Sequence, residues 1–224
     1  MNRKFWILTV TPLMLLTLTS DVFAIGRVAR RFNVLEIYGG YSSPVGSYDQ
    51  IGPLSFVDQQ DRPVDIGADS LWDNTFHLGF TFGTLRAERL MYSIGFSYTK
   101  AELAEYARQT FDDQYALIPN FHQFDVRFNM NFHLSSLQTS PWSPYIGLGI
   151  IGGLTGYSGR GIESEYEANV AASANFGAEA KIWQAADNSS FVTVASVNSI
   201  EFLASGYRPR YLNLGAALKF YLRP

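Results

Sequence analysis

Residues Phe121–Leu134 read FHQFDVRFNMNFHL. The even positions from 124 are Phe124, Val126, Phe128, Met130, Phe132 and Leu134. The odd positions are Gln123, Asp125, Arg127, Asn129, Asn131 and His133. Successive side chains of a strand point to opposite sides, so strict alternation of this length predicts a β-strand with one apolar and one polar face.

The same period recurs outward from this segment. Phe76, Leu78, Phe80 and Phe82 alternate with His77, Gly79, Thr81 and Gly83; Tyr92, Ile94, Phe96 and Tyr98 alternate with Ser93, Gly95, Ser97 and Thr99. Near the C-terminus Leu212, Leu214, Ala216, Leu218, Phe220 and Leu222 alternate with Tyr211, Asn213, Gly215, Ala217, Lys219 and Tyr221. Weaker alternation marks Phe32 to Ser42, Tyr145 to Leu154, Ala168 to Trp183 and Phe191 to Phe202, the last with an expected slip near Val197 of the kind a bulge causes. Most segments reach the ~9–11 residues that a tilted strand needs to cross a membrane. The expected fold is all-β: an eight-stranded antiparallel up-and-down transmembrane β-barrel. In a soluble barrel the second face would be a solvent surface rich in Lys and Glu. Here it is mostly Gly, Ser, Thr, Asn and Ala, which suits a narrow lumen, while Phe, Leu and Tyr suit lipid.

Composition agrees. Charged residues are 17% and aromatic residues 15%, against ~25% charged in an average soluble domain. There is no cysteine, so disulfides and thiol chemistry are excluded, and a net charge of -3 leaves no basic surface for nucleic acid. The head of the chain reads differently. Arg3 and Lys4 precede an apolar run from Phe5 to Leu18 that contains Pro12, and Val22-Phe23-Ala24 follows. That is the anatomy of a secretory signal peptide. Residues 1–24 are therefore expected to be the signal peptide, and residues 25–224 the outer-membrane β-barrel domain.

The connections alternate in length. Long gaps are expected at Ser43 to Asn74, Ala101 to Asn120 and Thr155 to Glu167, with tight turns near Arg86 and Ala186 and an intermediate one at Ser135 to Ser143. Long loops on one side and short turns on the other place the loops outside and both termini in the periplasm. The long gaps carry Asp49, Asp58, Asp61, Asp65, Asp69, Asp73, Glu102, Glu105, Asp112, Asp113, Glu163, Glu165 and Glu167. Arg27, Arg30, Arg31, Arg86, Arg89 and Arg223 gather on the turn side. The acidic loops read as solvated surface, with shared divalent cations on lipopolysaccharide phosphates as the sharper reading. The first loop, with Phe56, Ile66, Leu71 and Trp72, is expected to pack on itself or extend its strands, and to be the contact surface for a partner.

The polar face places Glu36, Asp125, Glu179, Arg127, Lys181 and Lys219 in the lumen. Unpaired charges in a narrow interior are costly, so these are expected to pair in one network, with Glu36, Lys219, Glu179 and Lys181 at a similar depth. Glu201 lies in the slipping strand and is assigned to neither face. Of the histidines His77, His122 and His133, the last forms a His133-Leu134-Ser135 spacing. A hydrolase would also need a carboxylate to orient the histidine, and none occurs between Ser135 and Arg160.

These patterns resemble the small eight-stranded outer-membrane barrel family that includes OmpX and the transmembrane domain of OmpA, over about Phe32 to Pro224. That family's last strand carries an assembly signal, and Asn213, Gly215, Leu218 and Phe220 match it. The family usually ends on the aromatic, whereas Tyr221 to Pro224 follow here. The resemblance implies insertion by the barrel assembly machinery, a lumen filled by a charge network, no cofactor, and outer-membrane lipid and lipopolysaccharide as surroundings. The expected function is a structural or surface-interaction barrel without catalysis. A small passive channel or transporter is the alternative, and a lipid A-modifying barrel enzyme the second alternative.

Overall fold

The computed structural model describes residues 31–44, 54–57, 63–66, 75–102, 118–160, 162–204 and 210–224. The expected signal peptide and most of the loop acids lie outside these residues. The strands are β1 (Phe32–Pro44), β2 (Leu54–Val57), β3 (Pro63–Ile66), β4 (Thr75–Arg86), β5 (Leu90–Glu102), β6 (Ile118–His133), β7 (Trp142–Arg160), β8 (Ile162–Gln184), β9 (Ser190–Ala204) and β10 (Tyr211–Leu222). Eight of them close into one antiparallel barrel in the order β1-β10-β9-β8-β7-β6-β5-β4, with β4 paired back to β1. Each barrel strand thus pairs with its chain neighbours, and closure leaves no free edge. The two short strands form a separate hairpin within the connection from β1 to β4.

The alternation decides which face turns outward. Along β7, Ile146, Leu148, Ile150 and Leu154 are exposed, while Tyr145, Ile151 and Thr155 are buried. From Ile146 to Leu154 the strand runs about 26 Å at ~3.3 Å per residue. At the usual tilt of ~35–45° that is about 20 Å along the barrel axis, close to the ~25 Å apolar band of a membrane barrel. Phe80, Phe96, Phe124 and Phe132 continue the exposed band. Trp142 and Trp183 are exposed at its turn end, and Tyr41 and Tyr166 at the other, the placement amphipathic rings take at a lipid–water boundary.

Closure between β1 and β10 depends on glycine. Gly40 and Gly215 are direct partners across the seam. A Cβ on Gly40 would run into the Leu214 carbonyl oxygen, and one on Gly215 would come within 2.7 Å of the Gly39 carbonyl oxygen. The β4–β5 and β8–β9 turns are short. Ala87 and Glu88 both adopt positive φ (46° and 65°), and Arg89 N–H donates to the Arg86 carbonyl at 3.1 Å. Two left-handed residues at the centre match the right-handed twist of the flanking strands. In the β8–β9 turn the Ser189 hydroxyl and N–H both donate to Asp187, which holds that carboxyl below the usual carboxylate range.

Two sequence expectations need correction. The segment Thr155 to Glu167 is not a loop: β7 continues to Arg160 and β8 begins at Ile162. The segment GYSGRGIESEYE has no apolar–polar alternation, so the hydrophobic period that reveals a strand is missing there. The slip near Val197 is also absent. Residues Phe191, Thr193, Ala195, Ser199 and Glu201 are buried and alternate without interruption, and the β8 register is continuous through Gly177–Val197. The irregularities lie elsewhere, at Ala172/Ser173 and Lys181/Trp183. Near Val197 polarity, not geometry, changes side: Val197 packs inward on Tyr38, Ala195 and Ala217.

Candidate functional site

The inward residues stack in layers along the lumen. At the turn end Phe32, Val34, Leu85, Met91, Leu137, Phe191 and Tyr221 form one buried apolar cluster. The Phe191 and Tyr221 rings stack at 4.3 Å, and Phe32 meets Phe191 edge-on at 5.1 Å. Leu137 comes from the connection between β6 and β7 and is fully buried. That connection therefore folds under the barrel. Its Ser136 hydroxyl donates to Glu88 at 2.6 Å, and Lys181 Nζ donates to the Gln138 carbonyl at 3.0 Å, so the connection is tied to the β4–β5 turn and to the end of β8.

Above this cluster lies the first charge group. Lys219 Nζ is 2.6 Å from Glu179 Oε1 and 3.2 Å from Glu36 Oε2. Glu36 and Lys219 are direct partners across the β1–β10 seam. The other Glu179 oxygen accepts from the Tyr221 hydroxyl at 2.6 Å and from Thr193 at 2.9 Å. Lys219 also sits 4.9 Å from the Tyr145 ring centroid. His133 Nε2 lies 3.6 Å from Glu179 Oε1, beyond a normal hydrogen bond. Each charge thus meets at least one opposite charge, the condition for tolerating it in a low-dielectric interior.

Farther toward the loop end, Asn175 Nδ2 donates to Asn129 at 3.1 Å and Asn131 at 3.3 Å. A cavity of about 60 Å³ lies at this layer, with Asn129, Asn131 and Asn175 in its wall beside Tyr38, Arg127 and Lys219. The second charge group follows. Arg127 Nη2 is 3.1 Å from Asp125 and 3.9 Å from Glu201, and Arg127 Nε donates to Ser97 at 3.0 Å. Gln123 donates to the same Asp125 oxygen at 2.9 Å. Beside it the Ser42 hydroxyl donates to Asn213 Oδ1 at 2.5 Å, and Asn213 Nδ2 donates to Ser199 at 3.0 Å. With its proton committed to Asn213, Ser42 accepts from His77 Nδ1 at 2.9 Å.

The lumen charges therefore divide into two groups rather than one network. Glu36, Glu179 and Lys219 make the lower group; Asp125, Arg127 and Glu201 make the upper. Lys181 joins neither. It lies below the lower group at the turn-end mouth, bonded to Gln138 and Gln184. Its position one inward step past Glu179, next to the register irregularity at Lys181/Trp183, carries it out of the lumen. Sequence reading missed the apolar cluster. Its signal was present: Phe32, Val34, Leu85, Met91, Phe191 and Tyr221 are apolar residues at inward positions, all close to the turn end.

The matched assembly residues split by face. Asn213 is buried in the upper lumen, Gly215 sits at the seam, and Leu218 and Phe220 point outward on the outer wall. The His133-Leu134-Ser135 spacing does not bring its members together. His133 is fully buried in the lumen, and the Ser135 hydroxyl donates to the Trp142 carbonyl outside it. Among the described residues no group of acids and histidines is arranged to hold a metal ion.

No family model matches the chain, and no curated protein matches it. Among solved structures, Neisserial surface protein A is similar at 9% identity and TM-score 0.48, covering 88% of this chain and 100% of that one. Ail, the attachment invasion locus protein of Yersinia pestis, is similar at 11% identity and TM-score 0.40, covering 86% and 97%. The outer membrane protein OprG from Pseudomonas aeruginosa is similar at 12% identity and TM-score 0.46, covering 85% of this chain and 97% of its own length.

Proposed function

We propose that this chain is an outer-membrane barrel with a filled, non-conducting lumen, and that its loop end carries a structural or surface-interaction role without catalysis. The observation that supports this most is the lower lumen. There the paired Glu36, Lys219 and Glu179 sit directly on the apolar cluster around Phe191 and Leu137. The exposed apolar band with Trp and Tyr at its ends supports the membrane setting. Asn213, Gly215, Leu218 and Phe220 serve as the strand signal read during insertion, and the surrounding lipid, lipopolysaccharide included, covers the band.

In this reading the β7–β8 hairpin and the connections from β1 to β4 and from β5 to β6 stand at the cell surface. The chain has no cysteine, so single cysteines report side without background. Asp112→Cys, between β5 and β6, is expected to react with an impermeant maleimide on intact cells. Ala186→Cys, in the β8–β9 turn, is expected to react only after the outer membrane is opened. The opposite labelling pattern would turn the barrel over and remove the surface role.

A further inference from the structure

On the lipid-facing wall of β4, β5, β6 and β7 lies a groove of about 480 Å³ that the lumen does not use. Ordinary small-ligand sites occupy ~300–1,000 Å³. Its walls are Phe80, Phe96, Phe124 and Leu154, all exposed. Its floor is open because Gly152 presents no side chain: a Cβ built there meets nothing within 4 Å. The residues around it are large, so the groove is a local dent in an otherwise bulky apolar surface.

The register places a polar group directly above this dent, toward the loop end. Phe96 pairs with Val126 and Val126 with Gly152; two residues up, Tyr98 pairs with Phe124 and Phe124 with Leu154; two further up, Lys100 pairs with His122. His122 is clamped. Its Nδ1 is 2.8 Å from the Tyr98 hydroxyl and its Nε2 is 2.7 Å from the Ser158 hydroxyl. The imidazole also stacks on the Tyr98 ring at 6.0 Å, which in turn packs on Phe124 at 4.9 Å. Lys100 is exposed beside it. A cation, a fixed imidazole and two hydroxyls are an unusual set on a wall that faces hydrocarbon. They sit where that wall approaches the loop-end boundary.

We infer that this wall holds one phosphorylated, acylated glycolipid of the outer leaflet, its phosphate on Lys100 and the His122–Tyr98–Ser158 group and one acyl chain in the groove over Gly152. The inference rests on the orientation proposed above, because only with the loop end outside does the polar group meet the glycolipid leaflet. Charge complementarity selects an anionic headgroup, since the group offers an ammonium and, in one place with it, the one hydroxyl hydrogen that the imidazole does not take. Position selects the chain's site, since the groove begins within two residues of the headgroup contacts on β5 and β6 and within four on β7. The two parts are joined by Tyr98, whose hydroxyl binds His122 while its ring lines the groove.

Native mass spectrometry of the folded barrel in detergent, titrated with diphosphorylated lipid A, tests the site without reference to membrane side. Wild type is expected to retain one lipid A. Lys100→Ala with His122→Ala is expected to weaken retention at least tenfold, and so is Gly152→Leu, which fills the dent from the lipid side. Both variants are expected to keep the gel shift of the unboiled barrel, which shows that they fold. Equal retention by wild type and both variants, or no retention by wild type, overturns the site. Retention of dephosphorylated lipid A or of phosphatidylglycerol as tight as that of lipid A overturns the assigned ligand. A reversed cysteine-labelling pattern in cells would overturn the surface reading while leaving this measured binding in place, so the two failures are distinguishable.

Discussion

Lys219→Met is expected to destabilise the barrel by about 3–5 kcal/mol, the loss typical of stripping one partner from a buried ion pair. Lys219 is fully buried and bonded to Glu36 and Glu179. The methionine keeps most of the side-chain volume, so packing changes little and the loss reports charge. Glu179 retains its bonds from Tyr221 and Thr193, whereas Glu36 loses the ion pair that holds it across the seam. Adding Glu36→Gln to Lys219→Met is therefore expected to recover part of the loss. Urea unfolding in lipid vesicles measures both. Additive losses in the double variant, or a Lys219→Met midpoint equal to that of wild type, would show that the pair contributes nothing.

Phe191→Ala is expected to cost a similar amount, about 3–5 kcal/mol, through the cavity left in the turn-end cluster. Phe191 is 2% exposed and touches both Phe32 and Tyr221. The control is Phe96→Ala, at a position 45% exposed on the outer wall. There lipid chains can fill the vacated space, so the loss is expected to be clearly smaller. Equal losses at the two positions, measured by the same urea titration, would mean that the turn-end lumen is not a packed core.

The barrel was legible in the sequence wherever one face of a strand formed the apolar outer wall and the other a polar lumen. β6 shows it best: every even residue from Phe124 to Phe132 points outward and every odd residue inward. β10 is equally plain, and the facing of Glu36 and Lys219 follows once the first and last strands are neighbours. The readings that failed did so where that contrast disappears. In β9, Val197 inside and Asn198 outside imitate a slip although the backbone keeps its register. In the outer halves of β7 and β8 glycines, serines and glutamates replace the apolar residues, so Thr155 to Glu167 carries no period to read.

The candidate site was half legible for a related reason. Alternation gives the face of a residue but not its depth. Lys181 shares the inward face with Glu179, yet it bonds to the turn carbonyl of Gln138 instead of a carboxylate. Leu137 lies in a connection, where no period applies, and only the fold of that connection under the barrel brings it onto Phe191 and Tyr221. The groove on the outer wall was hidden too. Its floor is a glycine in a Gly-rich stretch, and its polar rim draws on three different strands.

Ion conductance in a planar bilayer tests the filled lumen most directly. Any continuous water path must pass Leu137 and Phe191 and then the Lys219 group, all of them buried. The purified, folded barrel is expected to give no stable open level at neutral pH, and Phe191→Ala alone is expected to leave the Lys219 group as a remaining block. A steady, large, always-open conductance from the wild-type protein would contradict the account.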